Sequence, residues 1–241
     1  MTRHRAVPTE RLHLWLMLAL TFSTGVIDAV GYLGLDRVFT GNMTGNVVLL
    51  GMAVAGDTNL PSLRLALALL FFMMGAVLAG RLLRKGAEGW SGRMSLSLLM
   101  VAGVTAGLAV CVAVVDVHAT ELLGSTTTCV LAMAMGIQAA TAKRLKVAEI
   151  TTVVVTSTIT GLAADSWFAG GNSKHWARRT LAITLIGLGA LVGAAALFID
   201  LWVGIAVSSA ISFAVTLIGH LRHRKDKREV AKVDQATVAA A

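Results

Sequence analysis

Eight apolar stretches divide this chain, and six of them run about twenty residues, the length a helix needs to cross a bilayer. Those six cover residues 12–35, 63–83, 96–115, 122–142, 180–198 and 201–220. The other two, 40–56 and 151–168, are shorter and richer in Thr, Asn and Gly. With 56% of its 241 residues hydrophobic and 14% charged, the chain carries more apolar surface than a soluble domain of this size can bury. A bilayer lifts that limit, because apolar side chains can face lipid. The mean hydropathy of +0.76 agrees. The chain is therefore expected to be an all-α, polytopic transmembrane helix bundle whose first partner is the lipid bilayer.

Arg3, Arg5 and Arg11 ahead of the first apolar run resemble the basic region of a secretory signal. That run continues to Leu35 and more segments follow, so it reads as an uncleaved signal-anchor. Cys111 and Cys129 both fall inside expected helices with no His or carboxylate spaced as a co-ligand. Neither a disulfide framework nor a metal site is expected from them.

The net charge of +8 does not point to nucleic acid, because the basic residues sit in connectors between apolar segments. Cytoplasmic loops of membrane proteins are enriched in Lys and Arg. The basic N-terminus and the tail that carries Arg222, Arg224, Lys225, Lys227, Arg228 and Lys232 should then share the cytoplasmic side, which requires an even number of crossings. Eight full crossings would put Arg81, Arg84, Lys85 and Arg93, with Lys143, Arg144 and Lys146, outside. If each short polar segment enters and leaves on one face, every one of these loops moves inside. The Asp57–Asn59–Pro61 loop, the 116–121 loop with no Lys or Arg, and Asp200 then fall outside. Six full crossings plus two short re-entrant or broken helices is the expected topology, with Arg37 and Arg64 near the outer face. The domains are a basic cytoplasmic N-terminus (1–11), one transmembrane domain (12–220) and a basic cytoplasmic tail (221–241), in the inner (plasma) membrane of a bacterium.

An internal repeat fits this plan. Thr40-Gly-Asn-Met-Thr-Gly-Asn46 aligns with Thr156-Ser-Thr-Ile-Thr-Gly-Leu162. Gly25-Val-Ile-Asp-Ala29 has a weaker counterpart in Gly136-Ile-Gln-Ala-Ala140, and Gly75-Ala-Val-Leu matches Gly189-Ala-Leu-Val. The halves, about 12–115 and 120–220, each make three crossings, so the second is expected to be inverted relative to the first. Inverted repeats with discontinuous polar helices are a plan of secondary transporters.

Asn and Thr are costly against hydrocarbon and should face protein or a watery cavity. Asn42 and Asn46 would lie one turn apart on a single helix face. Gly41 and Gly45 allow close backbone approach, either as a Gly-x-x-x-Gly packing element or to leave N–H groups open to a ligand. A half-helix N-terminus at membrane depth also favours an anion. Asp28 lies two-thirds along the first crossing with no Lys or Arg within four positions, so it could carry a proton or cation, or fix a helix contact to Asn42 or Asn46. Asp165 is expected to pair with Lys174 or Arg178, Gln138 to be a second-half polar contact, and His118 and Glu121 to be solvated. The candidate substrate-binding residues are Asp28, Thr40, Asn42, Thr44, Gly45, Asn46, Gln138, Thr156, Thr158, Thr160 and Gly161. No hydrolytic, zinc or phosphate-loop motif is present, so neither an enzyme nor a cofactor is expected.

Thr21-Phe-Ser-Thr-Gly-Val-Ile-Asp-Ala-Val-Gly-Tyr-Leu-Gly-Leu35, then Val38-Phe-Thr-Gly-Asn-Met-Thr-Gly-Asn-Val-Val-Leu-Leu-Gly51, resembles the YoaK-like family of uncharacterised bacterial membrane proteins. Thr151-Thr-Val-Val-Val-Thr-Ser-Thr-Ile-Thr-Gly-Leu-Ala-Ala-Asp165 is similar to that family's second-half signature. Gly31 stands where Ser is expected in many members. The resemblance implies a multi-spanning, transporter-like protein and names no substrate. Two functions stay open: a secondary transporter or channel for a small molecule or ion, or a non-transport assembly or partner-binding subunit. Small-residue helices would also serve a homo-oligomer.

Overall fold

The computed structural model describes residues 9–56, 59–84, 89–117, 119–145, 155–173 and 175–239. Arg3, Arg5, Asp57, Lys85, His118, Lys146, Lys174 and the start of the second short segment (151–154) lie outside the described residues. The described residues form helices α1 (Thr9–Gly34), α2 (Met43–Val54), α3 (Ser62–Leu83), α4 (Gly92–Val114), α5 (Glu121–Arg144), α6 (Val155–Ala164), α7 (Trp176–Ala196) and α8 (Leu201–Ala239), with one 3-10 turn at Trp167–Ala169. Six of them, α1, α3, α4, α5, α7 and α8, are long and apolar enough to cross a membrane. At 1.5 Å per residue α2 and α6 reach only about 18 and 15 Å, short of a hydrocarbon core of about 30 Å.

Helix starts follow from local chemistry. Ser91 opens α4 by accepting a hydrogen bond from the Met94 amide at 3.3 Å, and Thr120 opens α5 by accepting one from Leu123 at 3.3 Å. Pro61 stands just before α3, where no amide donor is needed. The expected tail differs: α8 does not stop near His220 but continues for 39 residues, about 58 Å. An Arg222–Asp226 pair at 3.1 Å, one turn apart, supports that extension.

The bundle is built from three helix pairs. Helices α1 and α7 run parallel, as do α3 and α5, while α4 and α8 are antiparallel. Each parallel pair closes on reciprocal glycines. A methyl group at Gly25 would strike the Ile186 carbonyl and one at Gly189 would strike the Phe22 carbonyl. In the other pair, Gly75 faces the Met133 carbonyl and Gly136 faces the Phe72 carbonyl in the same way. Lipid is as apolar as Leu, so helices in a bilayer gain association from such close backbone packing. Hydroxyl pairs add polar contacts inside: Ser23 with Ser208 and Ser97 with Thr141, both at 2.7 Å.

The start of α1 and the end of α8 lie toward one end of the bundle. There the start of α1 packs with the end of α3, the start of α4 and the middle of α8 through Leu16, Leu83, Trp90 and Val215. Arg144 closes this terminal end by donating to the Leu83 and Arg84 carbonyls at 3.0 and 3.3 Å, cation against helix C-terminus. At the far end Arg64 is buried and ion-paired to Asp36, and donates to Ser125 Oγ at 3.1 Å and the Glu121 carbonyl at 3.3 Å.

Two stability outcomes follow. Gly136→Ala forces a methyl onto a backbone carbonyl and should cost about 1–3 kcal/mol, while Gly103→Ala meets open space and should be neutral or slightly stabilising. Thermal melts of the purified protein in detergent check this; equal melting points would contradict the packing described. In the ion pair, the Arg64 side chain is 8% exposed and that of Asp36 59%. Asp36→Asn keeps the positive φ of 54° that Asn tolerates but strands a buried guanidinium, so it should cost more, about 1–3 kcal/mol, than Arg64→Met, which leaves a hydrated carboxylate. The reverse order in the melts would show that the cation is not the buried partner.

Candidate functional site

Beyond α1 the backbone does not leave the bundle directly. Asp36 and Arg37 take left-handed conformations, with φ of 54° and 62°, and turn the chain back. Residues 38–41 then retrace the last turns of α1: Gly31 lies against the Val38 carbonyl and Thr40, and Gly41 lies beside Thr24 and Asp28. A non-helical segment at this depth must find partners for its amides, because no water surrounds it. Asp28 supplies them. Its Oδ1 accepts from the amides of Thr40 at 3.2 Å, Gly41 at 2.7 Å and Asn42 at 3.1 Å. The side chain sits about 9 Å from the end of α1 and is 8% exposed.

This geometry corrects several expectations. Asp28 does hold a helix contact, but through backbone amides and not through the Asn42 or Asn46 side chains. Those two asparagines do not share a helix face, because the helix begins only at Met43. Asn42 is its N-cap, accepting from the Gly45 amide at 3.2 Å, whereas Asn46 is buried and bonds Phe39 on both sides, amide to Oδ1 at 2.9 Å and Nδ2 to carbonyl at 2.6 Å. Gly41 precedes the helix, so Gly41 and Gly45 form no helix–helix packing motif; they approach Asp28 and Phe39 instead. The amides ahead of α2, expected to be open to an anion, already hold the Asp28 carboxylate.

The second short segment is anchored at the opposite end of the bundle. Arg179, in the first turns of α7, donates to the Gly161 carbonyl and to Asp165 at 2.7 Å, which fixes the end of α6 at the terminal end of the bundle. Asp165 therefore pairs with Arg179, not with Arg178, because the side chain one residue on is the one that faces α6. The start of α6 lies deeper, beside Ile186 half-way along α7.

Between the two short helices lies a cavity of about 1120 Å³. It brings together Asp28, Asn42, Thr44, Gly45, Thr156, Thr160 and Gly161 of the expected site. Thr40, Asn46, Gln138 and Thr158 are buried outside its wall. Gln138 stands just behind it, donating to Thr24 Oγ1 at 3.3 Å and accepting from Ser212 at 3.2 Å. Sequence reasoning missed Thr24, Tyr32, Phe39, Ser157 and Ile186, which also line the cavity. Thr24 and Tyr32 had a signal, since they flank Asp28 by one helical turn on each side. Phe39 had none: it meets Tyr32 only because the chain turns back, stacking at 4.6 Å between ring centres with the planes 23° apart.

The family model described as "Protein of unknown function (DUF1275)" matches residues 16–218. The chain belongs to the DUF1275 family. The UPF0700 transmembrane protein YoaK of Bacillus subtilis (strain 168) is 33% identical over 192 residues, 75% of this chain and 82% of the relative. No solved structure matches. The resemblance read from the Asn42–Asn46 run thus holds, and every cavity residue of this DUF1275 protein lies within the matched range.

The turn gives its own outcome. Asp28→Ala leaves three amides without an acceptor and should cost at least about 3 kcal/mol, whereas Asp28→Asn keeps an oxygen for them and should cost clearly less. Melting temperatures of the two variants decide it; equal losses would mean that the carboxylate's charge, not its acceptor oxygen, holds the turn.

Proposed function

We propose that this DUF1275 protein is a secondary transporter or channel for a small solute, not an enzyme, and that the cavity at Asp28 is its central site. The observation that carries this reading is the placement of two non-spanning helices, one returning to each end of the bundle, on either side of a mid-depth cavity whose largely apolar wall carries Asp28, Asn42 and several Thr side chains. Broken helices at a midplane site are how many transporters present polar groups to a substrate. Such groups cost too much in a bilayer to persist without a partner or a watery path.

The same reading treats the two halves as inverted repeats, α1 to α4 against α5 to α8. In its support, the glycines matched in sequence make interchangeable contacts: Gly25 of α1 stands to Gly189 of α7 as Gly136 of α5 stands to Gly75 of α3. Each tight pair therefore joins one helix from each half, and the cavity is walled by the α1–α7 pair together with α2 and α6. Movement of the short helices against that pair would open it to alternate sides. Charge supports an orientation with both termini cytoplasmic in the plasma membrane. The terminal end carries Arg11, Arg81, Arg84, Arg93, Lys143 and Arg144, whereas the far end carries Arg37 and Arg64 beside Asp36, Asp116, Glu121 and Asp200.

Accessibility and flux test the proposal together. In a background with Cys111 and Cys129 changed to Ala, Thr44→Cys and Thr160→Cys should react with a charged, water-soluble methanethiosulfonate, and Val47→Cys, on the exposed apolar face of α2, should not. Proteoliposomes should pass at least one of a panel of small amines, sugars, carboxylates and inorganic ions faster than protein-free vesicles, and Asn42→Ala should slow it about tenfold, the worth of one good hydrogen bond. A cavity closed to the reagent, or no solute carried, would leave the partner-binding subunit as the better reading.

A further inference from the structure

The cavity's charge is one-sided. Among the described residues that line it, Asp28 is the one formally charged side chain. Its Oδ1 accepts from three amides, and among the described residues its Oδ2 has no hydrogen-bond partner. Asp28 lines the cavity wall, which leaves this second oxygen as the acceptor for a ligand there. The Arg179 guanidinium lies behind Gly161 and is engaged by Asp165 and the Gly161 carbonyl. One turn along α1 from Asp28, Tyr32 stacks on Phe39, and both rings line the same space.

From this arrangement we infer that the site takes a small monovalent organic cation bearing N–H donors, of the ammonium or guanidinium type. The inference rests on the reading of the cavity as a transport site. A carboxylate oxygen with a free lone pair accepts a charge-assisted hydrogen bond from such a donor. The aromatic pair adds a face on which a cation is attracted to the ring quadrupole. An anion would meet the Asp28 charge in a low-dielectric setting with no cation to offset it. A divalent metal would find a single carboxylate, where such ions take several oxygen ligands. Thr24 and Asn42 contribute neutral oxygens that suit the remaining N–H groups.

The test uses a shape-matched set of probes on the full-length protein: methylguanidinium, its neutral isostere N-methylurea, acetate, and potassium ion. Binding is followed by thermal shift in detergent and flux by uptake into proteoliposomes. Methylguanidinium should bind saturably, and N-methylurea and acetate should bind at least tenfold more weakly. Asp28→Asn, which keeps the acceptor for the turn, should weaken methylguanidinium binding at least tenfold without lowering the ligand-free melting point to that of Asp28→Ala. Phe39→Leu should weaken it about two- to fivefold, the worth of an exposed cation–aromatic contact. Uptake of acetate or N-methylurea in preference, unaltered in Asp28→Asn, would overturn the cation assignment and leave the transport reading standing. Potassium binding equal to that of methylguanidinium, unchanged in Phe39→Leu, would overturn the organic part of the assignment. Saturable methylguanidinium binding at Asp28 with no flux of any probe would support the site and sink transport. No binding and no flux would overturn both.

Discussion

Everything around the cavity depends on a single acceptor atom. A chain that turns back into a bilayer exposes amides where there is no water to take them, and each left bare costs free energy. Asp28 Oδ1 takes three such amides in succession, at Thr40, Gly41 and Asn42. Because those amides precede the first turn of α2, the carboxylate also sits at the positive end of that helix, where a negative charge is stabilised. An intramolecular anion thus fills the place that an external one would otherwise seek. The α1–α2 turn, the start of α2 and the cavity wall are held by one side chain, and its second oxygen is left for other use.

Much of this architecture was legible in the chain. Segment length and loop charge together pointed to six crossings and two short helices; five of the six candidate spans agree within four residues, and the last runs on to Glu229. The repeat alignment picked out Gly25, Gly75, Gly136 and Gly189 by sequence alone, and these four make the closest backbone approaches of the two parallel pairs. Small residues at such positions are readable because nothing else fits between two backbones.

What was not legible depends on where the backbone stops being helical. Treating 40–56 as one helix put Asn42 and Asn46 on one face; starting it at Met43 sends Asn42 to the cap and Asn46 inward to Phe39. The capping chemistry of Asn42 was visible, but the apolar run around it did not show whether helix or turn came first. Phe39 against Tyr32 and Asp165 against Arg179 are products of reversal, and spacing along a chain cannot register a reversal that its residues do not announce. The helical continuation of α8 into the basic tail was not foreseen for a different reason. Its Arg222 and Asp226 already had helical spacing, and an i,i+4 pair stabilises an exposed helix without any apolar face.

The two ends of the bundle treat their buried cations alike, and this bears on how the fold can move. Arg64 ties the start of α3 to the α1–α2 turn and to the start of α5, while Arg179 ties the start of α7 to the end of α6. In both cases a nearly buried guanidinium reaches a carboxylate that stays more than half exposed. Such a pair is held by the cost of stranding the cation, yet its acid is already hydrated and loses little on release. The glycine-packed helix pairs offer no comparable give, since their contacts are backbone against backbone. The contacts with give are therefore the surfaces between the pairs and the two arginine ties, one at each end, while each pair is locked backbone to backbone.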